Sequence, residues 1–593
     1  MSEDDQVEPA TAKTDLLRPR LSFEKIHFSD GTILALDHDD IIVFVGPNNA
    51  GKSAALRELE AWVANSIPGL VIKNANMLKV GTQEDLRRYL EENSQKTGDL
   101  PNLQYGGIGY SIHTSHIPYF DSGNLSPVAP FFAKRINTEG RIQDANAAPA
   151  LSLFRSPPTH PIHFLLMDPE LASGISGKFR HAFGKDLTPF RAGGSSFPLY
   201  VGEKPSVPAG KDELSKEFVV SLQSTNVTLE SQGDGMRSFA AVILHVLAET
   251  THSIQFLDEP EAFLHPPQAR LLGRYLAQNK PANTQLFIAT HSIDVLDGLI
   301  EGGVDKVRIV RLHREGNINR VRELGKEKTK AVAKDTLARF SRVFDGIFFE
   351  HVVICEADAD CMLYQSILNL PSISGDRRPD VLFVHTSGKH RMAKLAETLR
   401  SLDVPVSVIA DIDVLDDKGT FKNLFEKLGG DWVDVGTSWE AVNESVLRQR
   451  PPLNAEQVAK MIAGQLQGVQ GTGEFPEDRE RAIKEVFRTV SPWSAMKRSG
   501  RSALSAGETI KHFDALIEKC GEHGLWIVPV GEIEGFCRSI GSHGPGFVEK
   551  VLEERILGTD PELQDARDFI RKVWTRAKAA SGGNDVAAPP PTE

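Results

Sequence analysis

Short apolar runs recur along the chain and alternate with amphipathic stretches, a pattern typical of α/β proteins. The clearest run has five apolar residues at 41–45, directly before a Gly-rich turn and a stretch at 53–62 that is rich in Ala, Leu and Glu. Residues 21–26 and 32–36 alternate apolar and polar positions, as half-buried strands do. The other runs that predict buried strands are 253–257, 285–289, 352–355, 381–384, 405–410 and 525–530.

The same pattern divides the chain into two α/β blocks separated by a connecting helix. A Gly-, Pro- and Ser-rich middle of the first block gives no clear pattern, and the two ends are polar or rich in Pro and Gly, as disordered tails are. The predicted limits are a disordered tail at 1–18, a first block at 19–325, a connecting helix at 326–350, a second block at 351–580 with a helical insertion around 430–520, and a disordered tail at 581–593.

Length, charge and cysteine content narrow the class of protein. With 593 residues the chain is too long for one core. Its net charge of −13 argues against a protein that coats nucleic acid with its whole surface, although a local basic groove stays possible. No apolar run approaches a membrane span, and the acidic N-terminus predicts no signal peptide, so we expect no membrane partner. The cysteines lack paired zinc spacing, which favours reduced thiols in the cytoplasm.

The Gly-rich turn at 46–53 reads Gly-Pro-Asn-Asn-Ala-Gly-Lys-Ser and fits the phosphate-loop pattern G-x-x-x-x-G-K-[ST]. A buried strand that enters such a turn and leaves it as a helix aims successive N–H groups at one point, where they hold a phosphate. Lys52 would reach the β- and γ-phosphate oxygens, and the Ser53 hydroxyl would ligate Mg²⁺. We therefore expect ATP to be bound by Gly46, Asn48, Asn49, Gly51, Lys52 and Ser53.

Two later strands end in residues that suit the same nucleotide. The run at 253–257 ends in Asp258-Glu259, in which Asp258 would hold Mg²⁺ and Glu259 would orient and deprotonate the attacking water. The run at 285–289 ends in Thr290-His291-Ser292, and His291 at that position can touch the γ-phosphate. Upstream, a turn with Ser231, Gly233 and Gly235 opens a helix and offers N–H donors to an anion.

The order of these motifs resembles that of the ABC-type ATPases of the DNA-repair and chromosome-structure branch. The resemblance covers about residues 19–322 and implies a dimer. In that dimer the turn with Ser231, Gly233 and Gly235, which we call the signature turn, closes over ATP bound to the other subunit. No residue of the long middle segment can be assigned as the glutamine-loop contact of that class.

The second block contains carboxylates at the ends of two predicted strands. Glu356 ends the run at 352–355 and Asp360 follows at the start of a helix, while Asp411 and Asp413 follow the run at 405–410. Strand ends gather at one edge of a parallel sheet, where these acids would repel one another unless divalent cations neutralised them. We therefore expect Mg²⁺ or Mn²⁺ at this edge, ions that can activate a water and stabilise the leaving oxygen of a phosphodiester.

This arrangement looks like a TOPRIM domain, with Glu356, Asp411 and Asp413 at the positions of its Glu and Asp-x-Asp motifs and Asp360 at the second acid of its nuclease members. The usual Glu-Gly pair is here Glu356-Ala357. The resemblance also implies that Glu534 joins the second metal. It implies a catalytic lysine, for which Lys389 and Lys550 are both candidates.

An ABC-type ATPase followed by a TOPRIM nuclease resembles the OLD (overcoming lysogenization defect) family, whose relatives include effectors of anti-phage systems such as Gabija, retrons and PARIS. The resemblance implies an oligomer, a dimer or larger, in which ATP gates metal-dependent cleavage of nucleic acid, DNA more than RNA. It also leaves room for a second defence protein or a non-coding RNA or DNA as partner. The alternatives are an ATP-driven clamp or sensor that does not cut and, ranked lower because no tyrosine has a recognisable context, a topoisomerase- or primase-like enzyme.

Overall fold

The computed structural model describes most of the chain. The described residues are 18–100, 102–107, 110–152, 158–248, 252–316, 318–325, 327, 329–330, 343–375, 378–386, 388–448, 455–467, 469, 475–488 and 492–580. The chain divides into two compact units, Met1–Ala333 and Lys334–Glu593. The predicted tails lie outside the described residues except for residue 18. Most of the predicted connecting helix lies outside them as well, and its described end forms a 3₁₀ turn at Val343–Phe348.

The first unit mixes strands and helices throughout, including the middle segment for which the sequence pattern is unclear. Its strands are β1 (Arg20–Phe28), β2 (Ile33–Ala35), β3 (Ile41–Val45), β4 (Ile72–Val80), β5 (Gln95–Thr97), β6 (Gln104–Gly107), β7 (Tyr110–His113), β8 (Ala133–Ile136), β9 (Ala148–Pro149), β10 (Asp186–Pro189), β11 (Ser196–Phe197), β12 (Leu199–Gly202), β13 (Val227–Thr228), β14 (Ile254–Asp258), β15 (Gln285–Ala289), β16 (Val307–Glu315) and β17 (Ile318–Leu324). Its helices are α1 (Lys52–Asn65), α2 (Gln83–Asn93), α3 (Tyr119–Ser122), α4 (Ala129–Phe132), α5 (Thr138–Asp144), α6 (Pro161–Met167), α7 (Pro169–Phe183), α8 (Lys216–Thr225), α9 (Asp234–Ile243), α10 (Pro266–Asn279) and α11 (Ile293–Gly303).

The centre of the first unit is a six-stranded sheet in the order β17-β16-β3-β15-β14-β8. Strand β3 pairs in parallel with β15 and β16, and β14 pairs in parallel with β15 and β8. All five residues of β3 and all five of β15 are buried, as expected for parallel strands covered on both faces. The carboxyl ends of β3, β14, β15 and β8 therefore share one edge, where ligands of such sheets bind.

An antiparallel sheet in the order β2-β1-β4 packs against this centre. Phe23 of β1 meets Phe287 of β15 edge to face, with 5.6 Å between ring centroids. Phe44 of β3 stacks on the same ring at 6.4 Å. These aromatic contacts join the two sheets into one hydrophobic core.

The second unit is built around a smaller sheet followed by many helices. Its strands are β18 (His351–Cys355), β19 (Val381–His385), β20 (Val406–Ala410) and β21 (Leu525–Ile527). Its helices are α12 (Asp358–Leu368), α13 (Pro371–Ser374), α14 (Met392–Ser401), α15 (Lys418–Lys427), α16 (Trp432–Arg448), α17 (Ala455–Leu466), α18 (Glu477–Arg488), α19 (Pro492–Ser499), α20 (Glu508–Glu522), α21 (Pro545–Glu554) and α22 (Gln564–Ala580).

Within the described residues, the second unit has four strands, which are parallel and follow the order β19-β18-β20-β21. The ends of β18 and β20, where the sequence places its carboxylates, are therefore neighbours. Between β20 and β21 the described chain is helical, from α15 to α20. The predicted α/β class is confirmed in both units.

Candidate nucleotide site and candidate metal centre

The turn after β3 wraps closely against the neighbouring strand β16. Gly46 has φ +137°, and a Cβ there would lie 2.0 Å from the carbonyl oxygen of Leu312. Asn49 takes a left-handed conformation with φ 62°, and Gly51 follows with φ 94° just before α1 begins. Asn48 and Asn49 are exposed at the tip of the turn. The backbone is thus bent into the concave loop that a phosphate requires.

Lys52 and Ser53, at the start of α1, contact the phosphate loop and the end of β14, respectively. The Lys52 ammonium donates to the carbonyl oxygens of Gly46 and Pro47, at 2.8 and 2.9 Å. The Ser53 hydroxyl donates to Oδ1 of Asp258, at 2.9 Å. The structure therefore brings together residues that are 205 positions apart, in the pairing that suits a shared Mg²⁺.

The loop after β14 brings Glu259 and His291 near each other. Glu259 has φ 45°, and its N–H donates to the carbonyl of Ala289 at 2.8 Å. Nδ1 of His291 lies 3.6 Å from Oε1 of Glu259 and 3.3 Å from Oε1 of Glu261. Glu261 is buried and accepts from the Thr290 hydroxyl and from the His291 N–H. Glu261 therefore orients the loop that carries His291.

The signature turn is placed at the surface of the first unit. Ser231 and Gly233 are exposed, and Gly235 is half-buried at the start of α9. The Ser231 hydroxyl donates to the carbonyl of Thr228, at 2.7 Å. An exposed position is compatible with a role on the nucleotide of a second subunit.

In the second unit, three of the predicted acids form one group. Glu356 follows β18, and Asp411 and Asp413 follow β20. One carboxylate oxygen from each lies within 4.8 Å of the others. Asp413 Oδ1 is buried and has no hydrogen-bond partner among the described residues. This spacing of hard oxygen donors suits a divalent cation.

Asp360 and Glu534 lie beside this group, each with a partner of its own. Asp360 is buried in the first turn of α12, where its Oδ2 accepts the Ala357 N–H at 2.9 Å. Glu534 forms a second group with Glu532 and His543, whose donor atoms also lie within 4.8 Å of one another. Oε1 of Glu534 accepts the Gly544 N–H at 2.7 Å.

Burial and mutual repulsion make these acids costly to ionise. Burial, followed by the charges of Asp411 and Asp413, raises the pKa of Glu356 to about 7. Burial, followed by the charge of Asp411, raises the pKa of Asp360 to about 7. Burial also raises the pKa of Asp411, against the opposing effect of Lys497. A cation held here would remove this cost.

Two lysines reach into the acid group. The Lys389 ammonium donates to the carbonyl of Asp413 at 2.8 Å and to its Oδ2 at 3.2 Å. The Lys497 ammonium lies 2.9 Å from Oδ2 of Asp411 and 3.9 Å from Oδ2 of Asp413. Burial opposes the charge of Lys497, but the attraction of Asp411 and Asp413 outweighs it and raises the lysine pKa. Lys550 is exposed on α21.

Sequence reasoning missed several residues of both sites. Glu261 follows the Asp-Glu-Pro motif directly, so its position beside the motif is a usable signal. No sequence motif predicts Lys497 in the helical insertion, or Glu532 and His543 beside Glu534. Arg141 in α5 was missed as well, because it lies in the middle segment whose pattern is unclear. Its buried guanidinium donates to the carbonyls of Asp258 and Glu259.

Burial lowers the pKa of Arg141 to about 10, against the opposing effect of Glu261, Asp258 and Glu259. The guanidinium is therefore charged at neutral pH.

Comparisons with known proteins find one family match in each of the two units. The family described as "AAA domain, putative AbiEii toxin, Type IV TA system" matches residues 118–297, a region that holds Asp258, Glu259 and His291. The family described as "Overcoming lysogenization defect protein-like, TOPRIM domain" matches residues 347–413, which hold Glu356, Asp411 and Asp413.

Individual relatives are distant. The Old nuclease of Escherichia phage P2 is 18% identical over 353 residues, which cover 57% of this chain and 52% of the relative. The match thus spans about half the length of that protein. The SMC head domain from Thermotoga maritima is 14% identical, with 52% of this chain and 100% of that chain covered and a TM-score of 0.28. A second solved structure, the SmcHead bound to the C-winged helix domain of ScpA, is 12% identical, with 52% and 99% covered and a TM-score of 0.32.

The fold and the two sites define a P-loop ATPase domain followed by a TOPRIM domain in one chain. This arrangement is similar to the domain fusion of the OLD family, and the predicted resemblance to that family is confirmed. No helix within the described residues is both long and apolar enough to span a lipid bilayer.

Proposed function

We propose that this protein is an ATP-regulated endonuclease that requires Mg²⁺ or Mn²⁺ and cleaves nucleic acid, DNA in preference to RNA. The observation that carries the proposal is the group of oxygen donors from Glu356, Asp411 and Asp413 within 4.8 Å at a parallel sheet edge. These acids come from two strands that are neighbours in the sheet but distant in sequence. Convergence of this kind is typical of a cation site that acts on phosphodiesters.

The donor set fits a hard divalent cation. The partnerless buried oxygen of Asp413 and the raised pKa values of Glu356, Asp360 and Asp411 describe acids whose charge the nearby lysines compensate only in part. We assign Glu356, Asp411 and Asp413 to one cation and Glu534, with Asp360 beside it, to a second. Such ions, when bound, supply positive charge to the scissile phosphate and lower the pKa of water.

The protein itself would contribute orientation and further positive charge. Lys389 and Lys497 hold Asp413 and Asp411 in fixed positions. Once cations neutralise those acids, either ammonium group is free to contact a phosphate oxygen of the bound strand. The carboxylates that remain unprotonated would accept the proton of the attacking water.

The ATPase part of the proposal rests on the contact between Ser53 and Asp258 beside the phosphate loop. Lys52 would turn from the loop carbonyls to the β- and γ-phosphates. Glu259 would orient the attacking water, while His291 would contact the γ-phosphate. The exposed turn with Ser231, Gly233 and Gly235 would close over ATP of a second copy, so that nucleotide binding makes a dimer or a larger oligomer.

We place the activity in the cytoplasm, in anti-phage defence or DNA processing, with a second defence protein or a non-coding nucleic acid as a possible partner. The test is cleavage of supercoiled plasmid, linear duplex, single-stranded DNA and tRNA, with and without ATP, in Mg²⁺, Mn²⁺ or EDTA. We expect nicking that requires the cation and is lost in Glu356→Gln, while ATP hydrolysis persists. No cleavage of any substrate in any condition would overturn the nuclease assignment.

One observation favours a second function, an ATP-driven nucleic-acid clamp or sensor that does not cut. Lys389 and Lys497 already neutralise part of the acid group through direct ion pairs. In that case the wild-type chain would bind DNA in an ATP-dependent manner, and Glu356→Gln would change neither binding nor hydrolysis.

A further inference from the structure

Helix α5 carries an arginine that is completely buried among backbone carbonyls. Arg141 is 0% exposed. Its guanidinium donates to the carbonyl of Asp258 at 3.3 Å, to the carbonyl of Glu259 at 2.9 Å and to the Thr138 hydroxyl at 3.1 Å. Its Nε is buried and has no hydrogen-bond partner among the described residues. Burial of a charged group costs free energy, and this cost suggests that Arg141 has a specific role at this position.

The peptide that Arg141 holds is the strained one of the hydrolysis site. Glu259 adopts φ 45°, a left-handed conformation that side chains other than glycine rarely take. Its N–H is fixed by the carbonyl of Ala289 at the end of β15, and its carbonyl is fixed by Arg141. The surrounding structure therefore fixes the direction in which the half-exposed Glu259 carboxylate leaves the backbone.

The end of α5 and the residues just after it are tied to the helix that follows the signature turn. Arg237 of α9 donates to the carbonyl of Ile142 at 2.7 Å and to Oδ1 of Asn146 at 3.1 Å. Further along, Asp144 is bonded to Nε2 of the buried His245 at 2.7 Å. His245 lies in a π-helical segment, Leu244–Ala248, that continues α9. Segments of this kind are rare and frequently mark functional positions.

We propose that Arg141 is a positioning residue for Glu259, and that α9 acts on the hydrolysis site through α5 by means of this arginine. The proposal rests on the ATPase activity proposed above. Because the guanidinium fork bonds both the Asp258 and Glu259 carbonyls, a lysine cannot reproduce its geometry. Displacement of Glu259 would impair water attack and leave the phosphate loop intact.

The test measures ATP affinity and kcat in the full-length chain for Arg141→Gln, Arg141→Lys and Glu259→Gln. The matched control is Arg88→Gln, at an exposed arginine of α2. We expect Arg141→Gln to lower kcat about 100-fold, with ATP affinity unchanged within about threefold and a smaller loss in Arg141→Lys. Arg237→Gln should lower kcat less, and should cause no additional loss when Arg141 is already replaced.

The decisive measurement is the double variant Arg141→Gln/Glu259→Gln. If Arg141 acts through Glu259, the double variant has the kcat of Glu259→Gln alone, because Arg141→Gln then adds no further loss in that background. Additive losses, or weaker ATP binding in Arg141→Gln and Arg141→Lys alike, would overturn the inference and leave the ATPase in place. Absence of ATP hydrolysis in the wild-type chain would instead overturn the proposed activity, and this inference with it.

Discussion

The ammonium nitrogen of Lys497 lies 2.9 Å from Oδ2 of Asp411. Asp411 follows the central strand β20, whereas Lys497 belongs to α19 in the helical insertion. The insertion therefore completes the acid group in the second unit. It supplies one of the two ammonium groups that lie against the paired aspartates.

Lys497→Ala is expected to lower cation-dependent cleavage about 100-fold, because it removes a preorganised positive charge beside the reacting phosphate. Lys389→Ala should cause a loss of similar size through Asp413. The measurement is the rate of plasmid nicking at saturating Mg²⁺ and Mn²⁺. Lys519→Ala serves as control, since that half-exposed lysine of α20 pairs with the nearby Glu522. A Lys497→Ala protein that cleaves like wild type would show that this lysine has only a structural role.

The position of Lys497 depends on a close backbone contact that a methyl group cannot enter. Gly531 has φ +108°, and a Cβ there would lie 2.0 Å from the carbonyl oxygen of Lys497. Gly531→Ala should therefore lower the free energy of unfolding by more than about 1 kcal/mol and should reduce cleavage. Gly541→Ala is the matched control, because a Cβ at Gly541 meets nothing within 4 Å. Urea unfolding and nicking rates check the pair, and equal behaviour of the two variants would contradict the prediction.

Residues at the ends of strongly apolar strands could be predicted from the sequence. The run at 41–45 matches β3, and the strands before Asp258, Glu356 and Asp411 lie where the pattern puts them. Parallel sheets bring such ends together by topology alone, so the meeting of Glu356 with Asp411 and Asp413 follows from the order of the strands.

Residues that reach a site from helices or loops could not be predicted in this way. Arg141 and Lys497 act through long side chains whose targets depend on tertiary packing, and neither belongs to a motif. The resemblance to TOPRIM nucleases predicts Glu534, but it does not predict the neighbouring Glu532 and His543. Local pattern fixes the strand ends, whereas long-range packing fixes what lies opposite them.

Divalent cations should stabilise the second unit, because they relieve the repulsion among Glu356, Asp411 and Asp413. At a cation concentration about 100 times the dissociation constant, we expect a gain of about 3 kcal/mol in the free energy of unfolding. Glu356→Gln should reduce that gain, although it should stabilise the cation-free protein by removing one of the acids that repel one another. Thermal unfolding with Mg²⁺, Mn²⁺ and EDTA tests both signs. The same cation response in both proteins would rule Glu356 out as a ligand.

Lys52→Ala and Glu259→Gln should impair different steps of the nucleotide cycle, namely ATP binding and ATP hydrolysis. Loss of the Lys52 ammonium removes the group placed to hold the phosphates, so ATP binding itself should be lost. Loss of the Glu259 carboxylate should leave ATP bound and lower hydrolysis by about 100- to 10,000-fold. Nucleotide titration, phosphate release and gel filtration with ATP measure the two effects. An ATP-bound oligomer should accumulate only in Glu259→Gln, and its absence would count against closure of one copy on another.

Protonation of His351 should lower the stability of the second unit in mild acid, whereas the raised pKa values of Glu356 and Asp360 act in the opposite direction. This first residue of β18 is 2% exposed, its Nε2 lies 3.0 Å from the Ser407 hydroxyl, and burial lowers its pKa to about 4. The unfolded chain has a histidine pKa near 6.5, so between about pH 6.5 and pH 4 only the unfolded state binds the proton. Stability contributed by the neutral imidazole is thus complete above pH 6.5 and is lost as the pH falls.

Between pH 7 and pH 5 this linkage amounts to about 2 kcal/mol. Urea unfolding of the full chain followed by tryptophan fluorescence reports mainly on the second unit, where five of the six tryptophans lie. We expect His351→Asn to be less stable at pH 7 and to lose less stability on acidification than wild type. His385→Asn, at an exposed residue at the end of β19, should keep the wild-type slope. If the free energy of unfolding of His351→Asn changes with pH as that of wild type does, other groups cause the acid sensitivity. The reason is that this variant no longer has the imidazole that takes up the proton.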